Sequence, residues 1–255
     1  MKVVILAGGH GTRLAEETVA IPKPMVEVGG RPLLWHIMKH FATFRVTEFV
    51  IALGYKADVI KRFFAEYNFL SSDFTIQLKN GRVDIRRPHQ DDWTVHLIDT
   101  GERTLTGGRL KRLEPLLSDG PFMLTYGDGL SNVPIDDLLS FHRSQGLLAT
   151  VTAIRPPSRF GGIAFEGDRV AAFSEKPEQG ERWINGGFMV MEPKVLSYLR
   201  GDADVLETDL LEHLARDGQL AAFKHHGFWQ CCDTMRDKQH LDQLWNSGKA
   251  DWVTW

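Results

Sequence analysis

The residues best suited to chemistry lie near the amino terminus. Three glycines within 8–11 follow the apolar run 3–7. Glycine lets backbone N–H groups approach a phosphate closely, and amides turned inward form an anion-binding concavity. Arg13 adds a planar fork of donors that suits phosphate oxygens, and Lys23, between two prolines that stiffen its backbone, adds a positioned point charge. Together these residues predict a cradle for a triphosphate.

A carboxylate occupies the corresponding place after a second apolar run. Asp128 follows the run 122–126 and has a glycine on each side. An Asp-Gly pair is also a common turn, but open α/β sheets bind ligands at the carboxyl ends of their strands. Mg²⁺ is usually held by one or two carboxylates and substrate phosphates. We therefore interpret Asp128 as a metal ligand beside the phosphate cradle.

The pattern around these residues predicts the elements that position them. Runs 3–7, 48–53 and 122–126 are typical of strands buried on both faces, and apolar residues recur at helical spacing within 33–41 and 59–67. This alternation predicts an α/β fold with a Rossmann-like, doubly wound mixed sheet. We expect a single domain over residues 1–255, with residues 1–130 mainly for the nucleotide and 131–255 mainly for the sugar phosphate.

Two regions predict antiparallel β insertions into this scheme. From Phe74 to Asp99 the pattern changes to short segments near period two, at 75–78, 82–87 and 93–98. Further along, the sequence Glu-Gly-Asp at 166–168 predicts the turn of a second hairpin.

Near the carboxyl end, the paired residues His225-His226 and Cys231-Cys232 are of the types that bind zinc. Neighbours on a strand point to opposite faces, so neither pair readily offers two ligands to one ion. A transition-metal site is therefore the weaker interpretation of this segment.

The glycine loop matches neither the G-x-x-x-x-G-K-[ST] pattern nor the G-x-G-x-x-G pattern. Segment 6–13, taken with Pro-Lys-Pro-Met at Pro22–Met25, resembles the signature of the sugar-1-phosphate nucleotidyltransferases. Within that family the chain is most similar to members that use CTP and glucose 1-phosphate. The resemblance implies the nucleotide-diphospho-sugar transferase fold, and it covers the whole chain.

The resemblance also implies roles for individual residues. Arg13 would hold the β- and γ-phosphates, Lys23 the α-phosphate, and Lys176 the incoming sugar phosphate. The implied metal ligands for Mg²⁺ are Asp128 and Asp233, although Cys231-Cys232 stands where the family more often has proline and methionine. The implied nucleotide contacts are Leu6, Ala7, Gly8, Gly9, Gly11, Thr12, Arg13, Lys23, Thr104, Arg109 and Gly127. The implied sugar-phosphate contacts are Glu175, Lys176, Asn185 and Gly186.

Charge and composition limit the classes of partner. A net charge of −3 gives no broad basic field, so nucleic acid and anionic membranes are poor candidates. No apolar run approaches the roughly 20 residues that span a bilayer, and two adjacent cysteines cannot form a disulfide framework. We expect a cytoplasmic location. The family resemblance implies a homo-oligomer, and the aromatic tail 249–255 is expected to dock on this chain or on a second subunit.

The expected reaction is transfer of the cytidylyl group of CTP to α-D-glucose 1-phosphate, which gives CDP-glucose and pyrophosphate for dideoxysugar or surface polysaccharide synthesis. Two alternatives stay open at this point. One is a uridylyl- or thymidylyltransferase on glucose 1-phosphate, because sequence alone does not reveal the acceptor that recognises the exocyclic amine of cytosine. The other is a regulatory subunit that binds a sugar nucleotide without catalysis.

Overall fold

The computed structural model describes residues 1–11, 14–87, 91–156, 162–174 and 182–255. The strands are, in chain order, β1 (Lys2–Leu6), β2 (Glu27–Val28), β3 (Arg31–Pro32), β4 (Glu48–Leu53), β5 (Asp73–Gln77), β6 (Arg82–Arg87), β7 (Thr94–Asp99), β8 (Phe122–Tyr126), β9 (Gly129–Ser131), β10 (Ala149–Ile154), β11 (Gly162–Glu166), β12 (Arg169–Ser174), β13 (Ile184–Asn185), β14 (Met189–Met191), β15 (Leu220–Lys224) and β16 (Trp229–Cys231).

The helices alternate with these strands through most of the chain, as the sequence predicted. They are α1 (Ala15–Thr18), α2 (Leu33–Thr43), α3 (Ala57–Leu70), α4 (Thr106–Arg112), α5 (Glu114–Leu117), α6 (Ile135–Gln145), α7 (Glu212–Arg216) and α8 (Met235–Asn246). Two 3₁₀ turns (Lys23–Met25 and Pro193–Tyr198) and one π-helical segment (Leu206–Leu211) complete the list. Within the described ranges, no helix is both long and apolar enough to cross a membrane.

The central sheet is mixed. Strands β8, β1, β4 and β7 lie side by side and parallel. On the other side of β8 the pairing becomes antiparallel through β14 and β10, and β15 joins β10 in parallel. This confirms the doubly wound mixed sheet, and it aligns the carboxyl ends of β1, β4 and β8 along one edge of the molecule.

Successive side chains of β1 face two separate apolar layers, as expected of a central strand. Val3 and Ile5 belong to one core cluster with residues of α2, α3 and α8. Val4 and Leu6 belong to a second cluster with residues of α4, α5 and the π-helical segment. Helices therefore cover both faces, and the loop that follows β1 is held between two packed layers.

The predicted antiparallel insertions are confirmed in part. Strands β5 and β6 form a hairpin outside the central sheet, and β11 and β12 form the hairpin predicted around the turn at 167–168. The prediction for residues 93–98 was wrong, because β7 pairs in parallel with β4 as an edge strand of the central sheet. An edge strand is half exposed, so it shows the same period-two pattern as a hairpin strand.

The carboxyl-terminal tail docks on this chain. Trp252 is 1% exposed, and its ring packs against Phe228. Its indole N–H donates to Nδ1 of His36 in α2 at 3.3 Å. The prediction of a docking tail is thus confirmed for contacts within the chain.

Candidate active site

A cleft of about 440 Å³ opens at the carboxyl ends of β1 and β8. Many of the predicted nucleotide and metal residues line it, although they come from separate segments of the chain. They are Leu6, Ala7, Gly8, Gly9, Gly11, Lys23, Thr104, Arg109, Gly127 and Asp128. Of the other predicted residues, Thr12, Arg13, Glu175 and Lys176 lie outside the described ranges, and Asp233, Asn185 and Gly186 are described but do not line the cleft.

Contacts within the protein, and not only a ligand, require glycine in this loop. The Gly8 carbonyl accepts hydrogen bonds from the Tyr55 N–H at 3.1 Å and from Nη2 of Arg109 at 2.9 Å. A Cβ at Gly8 would lie 2.2 Å from Nη1 of Arg109, which is closer than any real contact. Gly11 has a φ of +64°, a conformation that favours glycine. Gly8 is therefore required by the adjacent guanidinium, and Gly11 by its backbone.

Arg109 holds this wall of the cleft together through its hydrogen bonds. It is 4% exposed, and Nη1 donates to the Leu53 carbonyl, the Thr100 hydroxyl and the Gly101 carbonyl at 2.9, 2.8 and 2.7 Å. Arg109 is the fourth residue of α4. The guanidinium therefore ties β1, β4 and the loop after β7 together. A direct contact between Arg109 and CTP stays a prediction.

Lys23 lies at the end of the cleft between two carboxylates. The 3₁₀ turn that begins at this residue follows Pro22 and leaves the side chain largely buried. Its ammonium group donates to Oδ2 of Asp128 and to Oδ1 of Asp233, each at 2.5 Å. Burial lowers the pKa of Lys23, but the two carboxylates outweigh burial, and the net effect is a raised pKa. Lys23 is therefore a fixed positive charge in this site.

A short two-stranded sheet brings the two aspartates together. In this sheet β16 pairs with β9 so that Cys231 lies opposite Gly129, and the Cys232 N–H donates to the Asp128 carbonyl at 2.9 Å. Asp233 lies two residues after the end of β16, and its backbone N–H donates to the Asp237 carboxylate at 3.1 Å. The pairing of β9 with β16 thus carries Asp233 to Asp128 across the sequence.

The start of α8 helps to fix this geometry. Thr234 is the N-cap, and its hydroxyl accepts from the Asp237 N–H while the Asp237 carboxylate accepts from the Thr234 N–H. This reciprocal capping box satisfies two helix-end donors. It also holds the backbone on the carboxyl side of Asp233.

The donor set of this site suits a hard divalent cation. Both carboxylates contact the same ammonium nitrogen, so they face one point. In the part of the chain that the structure describes, no group of three or more His, Cys, Asp or Glu side chains is arranged to hold a metal. Two carboxylates completed by substrate phosphates are a usual arrangement for Mg²⁺, and the residues present fit that arrangement.

The two members of each histidine and cysteine pair lie in different surroundings. Cys232 is fully buried whereas Cys231 is half-buried, and His225 is buried whereas His226 is exposed. This confirms that neighbours in this segment point in different directions. Burial raises the pKa of both thiols to about 12.

Asn185 and Gly186, the predicted sugar contacts that the structure describes, lie beside the cleft rather than in its wall. The Asn185 side chain donates through Nδ2 to the Tyr126 hydroxyl at 3.3 Å and accepts through Oδ1 from the Gly187 N–H at 3.0 Å. The Gly186 carbonyl accepts from the Trp229 indole N–H at 2.8 Å. Their contact with a hexose stays a prediction.

Sequence reasoning missed several residues of the site. Tyr126, Glu102 and Thr106 line the cleft. Glu207 does not line it but accepts a hydrogen bond from the Tyr126 hydroxyl at 2.6 Å. The position of Tyr126 at the carboxyl end of β8, two residues before Asp128, was a usable signal. No sequence signal indicated Glu207, because its contact with Tyr126 joins residues that are far apart in the sequence.

Comparison with known proteins gives a consistent result. Residues 2–237 match the family described as nucleotidyl transferase. The chain is 47% identical to the glucose-1-phosphate cytidylyltransferase of Salmonella typhi and 41% identical to a probable glucose-1-phosphate cytidylyltransferase of Bacillus subtilis, each over 100% of both sequences. Among solved structures, HddC from Yersinia pseudotuberculosis superimposes with a TM-score of 0.70 at 24% identity, over 96% of this chain and 99% of that one. That structural likeness shows the fold.

Proposed function

Because this chain belongs to the nucleotidyl transferase family, we propose that it transfers the cytidylyl group of CTP to α-D-glucose 1-phosphate. The products are CDP-glucose and pyrophosphate, and the chain is an enzyme of this nucleotidyltransferase class. Support for the choice of substrates comes from relatives that bear this activity in their names and align with the chain from end to end.

The observation that carries the proposal is the meeting of Lys23, Asp128 and Asp233 at one end of the glycine cleft. Burying two carboxylates and one ammonium group is costly because these charged groups lose their water. A protein that only binds a nucleotide, without catalysing a reaction of it, does not require this arrangement. The arrangement suits charge that develops on phosphate oxygens in a transition state. This favours catalysis over the non-catalytic regulatory subunit.

The chemistry needs no covalent intermediate with the protein. A phosphate oxygen of glucose 1-phosphate forms a bond to the α-phosphorus of CTP. The bond from that phosphorus to the oxygen bridging to the β-phosphate breaks, and its electron pair leaves with pyrophosphate. Positioning and charge stabilisation are therefore what the residues must supply.

Lys23 is proposed to hold the α-phosphate, because its ammonium lies at the end of the cleft that the glycine loop begins. Backbone N–H groups of Gly8, Gly9 and Gly11 are proposed to cradle the remaining phosphates. Arg13 and Lys176 keep their proposed roles at the leaving pyrophosphate and the incoming phosphate, and Glu175 keeps its role at the sugar hydroxyls.

Enzymes of this family generally use a divalent metal ion, and we propose that the ion here is Mg²⁺. Asp128 and Asp233 are the residues that would hold it. When bound, the ion would offset negative charge on the reacting phosphates.

A uridylyl- or thymidylyltransferase would share this fold and this charge arrangement. It is not favoured, because the full-length relatives at 47% and 41% identity are named for cytidylyl transfer. Discrimination for cytosine requires an acceptor for its exocyclic amine. The Glu102 carboxylate in the cleft wall is one candidate for that acceptor.

Product analysis tests the proposal. The purified chain is incubated with CTP, glucose 1-phosphate and Mg²⁺, and the nucleotides are separated by anion exchange. We expect CDP-glucose and pyrophosphate in equal amounts, and no product after chelation of the metal. Asp128→Asn and Asp233→Asn should abolish product formation, whereas Asp137→Asn, an exposed aspartate of α6, should not. CTP consumption without CDP-glucose, or an active Asp233→Asn variant, would refute it.

We also propose that the chain forms a homo-oligomer and works in the cytoplasm, where nucleoside triphosphates are available. The β5–β6 hairpin supports self-association. Phe74 lies opposite Ile85, and Ile76 lies opposite Val83, so that four apolar side chains share one face, and all are exposed. A second copy of the chain is the proposed partner of that face. Ile76→Glu should lower the mass measured by light scattering, and the neighbouring exposed Thr75→Glu should not; equal masses would refute this contact.

A further inference from the structure

The π-helical segment Leu206–Leu211 lies against the outer side of the cleft wall. Such segments are rare and are often found at functional sites. Its first residue is fixed to the cleft, because the Leu206 N–H donates to the Thr106 hydroxyl at 2.9 Å. The next residue, Glu207, therefore has a defined position behind the wall.

Both oxygens of the Glu207 carboxylate are directed at residues that line the cleft. Oε1 accepts from the Tyr126 hydroxyl at 2.6 Å, and Oε2 accepts from the Thr106 hydroxyl at 3.3 Å. The Tyr126 contact has the length of a strong charge-assisted hydrogen bond. Because a carboxylate only accepts, the Tyr126 proton is committed to Glu207.

The hydrogen bond from Tyr126 to Glu207 determines how the Asn185 amide is oriented. The Tyr126 oxygen is left as an acceptor, and it accepts from Nδ2 of Asn185 at 3.3 Å. At the other end of the amide, Oδ1 accepts from the Gly187 N–H at 3.0 Å. One N–H and one lone pair of the Asn185 amide remain for a ligand, and their directions are set by the two contacts.

We infer that Glu207 is a positioning residue that acts through Tyr126 to orient Asn185 toward the sugar phosphate. The inference rests on the proposed function, in which Asn185 faces the hexose. The hydrogen-bonded series runs from Asn185 to Tyr126 to Glu207 and joins two segments of the sugar half through one residue of the nucleotide half. Its effect is expected on the sugar phosphate, because the side-chain hydrogen bonds of this series reach Asn185 and, among the described residues, not Lys23 or the glycine loop.

Steady-state kinetics of Glu207→Gln and Tyr126→Phe test the inference. Each variant should raise KM for glucose 1-phosphate by about 5- to 10-fold, the range for loss of one positioned polar contact, and should leave KM for CTP within about twofold. The double variant should be no worse than Tyr126→Phe alone, because Glu207 acts only through the phenol. Thr208→Ala is the matched control, since this neighbour is exposed and its hydroxyl donates to Asp209 rather than to a described residue of the cleft.

The outcomes separate the inference from the proposed function. If the wild-type enzyme forms no CDP-glucose, the proposed function fails and the inference fails with it. If the wild type is active but the variants raise both KM values equally, or if the two changes multiply in the double variant, the inference alone is overturned. Unchanged KM values also overturn it. Thermal unfolding of each variant identifies a general loss of folding, which would lower kcat and leave no difference between the two substrates.

Discussion

Lys23→Met removes one charge from the centre of the proposed site and shortens the side chain by only one atom. The lost ammonium group lies 2.5 Å from a carboxylate oxygen of Asp128 and of Asp233. Without it, the two carboxylates face each other where the Asp233 side chain is only 12% exposed. Like charges held together at such a site repel and favour the unfolded chain.

The size of this effect follows from the burial of the three side chains. Removing one partner of a fully buried ion pair costs about 3–5 kcal/mol, whereas an exposed pair contributes about 0–1 kcal/mol. The Asp128 side chain is 29% exposed, which places this site between the two limits. We expect the free energy of unfolding at pH 7 to fall by about 2 kcal/mol. Loss of the contact with the α-phosphate should lower kcat/KM by about 10²- to 10³-fold.

Urea unfolding of Lys23→Met, Asp233→Asn and the double variant forms the assay. Because Asp233→Asn removes one of the repelling carboxylates, the double variant should be at least about 1 kcal/mol more stable than additivity predicts. Additive losses, or a Lys23→Met variant as stable as the wild type, would refute the account of the charges. A kcat/KM within a few-fold of the wild type would refute the role of Lys23 at the α-phosphate.

Three further outcomes are expected. Burial lowers the pKa of His40 from 6.5 to about 4, so on acidification the unfolded chain binds a proton before the folded chain does. The free energy of unfolding should therefore fall below pH 6.5, by up to about 1.4 kcal/mol per pH unit for this residue. In His40→Gln, the free energy of unfolding obtained from urea curves should depend less steeply on pH. Gly8→Ala should displace the guanidinium of Arg109, whose Nη1 atom would be 2.2 Å from the new Cβ, and lower kcat/KM by about 10-fold or more, whereas Gly120→Ala, with open space around it, should have the kinetics of the wild type. Trp252→Ala empties a site that is 1% exposed and should lower the free energy of unfolding by about 3–5 kcal/mol; a loss below about 1 kcal/mol in urea would contradict the docked tail.

The parts of the fold that the sequence predicted are those specified locally. The apolar run at 3–7 and the glycines after it indicated a central strand and its loop, and both are observed. The Gly-Asp-Gly sequence at 127–129 indicated a carboxylate at a strand end, and Asp128 is found there. The strand at 94–99 was assigned to the wrong sheet, because a half-exposed parallel edge strand and a hairpin strand share one pattern.

The parts that the sequence did not predict depend on contacts between distant segments. Nothing in the spacing of Lys23 indicates that its ammonium lies between two aspartates, since that follows from the pairing of β9 with β16. The contact of Arg109 with CTP stays a prediction; its backbone carbonyl partners, which come from the end of β4 and from the loops after β1 and β7, were not predicted. Hydrogen-bond partners of this kind are set by tertiary structure rather than by a motif.

The central claim is that this cleft transfers a cytidylyl group to glucose 1-phosphate. It is tested most directly by the rate of pyrophosphate release with Mg²⁺ and glucose 1-phosphate, measured separately with CTP, UTP, dTTP, ATP and GTP. The account predicts rapid release with CTP and a kcat/KM at least about 100-fold lower with each other nucleotide, as expected of a site with an acceptor matched to the exocyclic amine of cytosine. Preference for UTP or dTTP, or no release with any nucleotide, would contradict it.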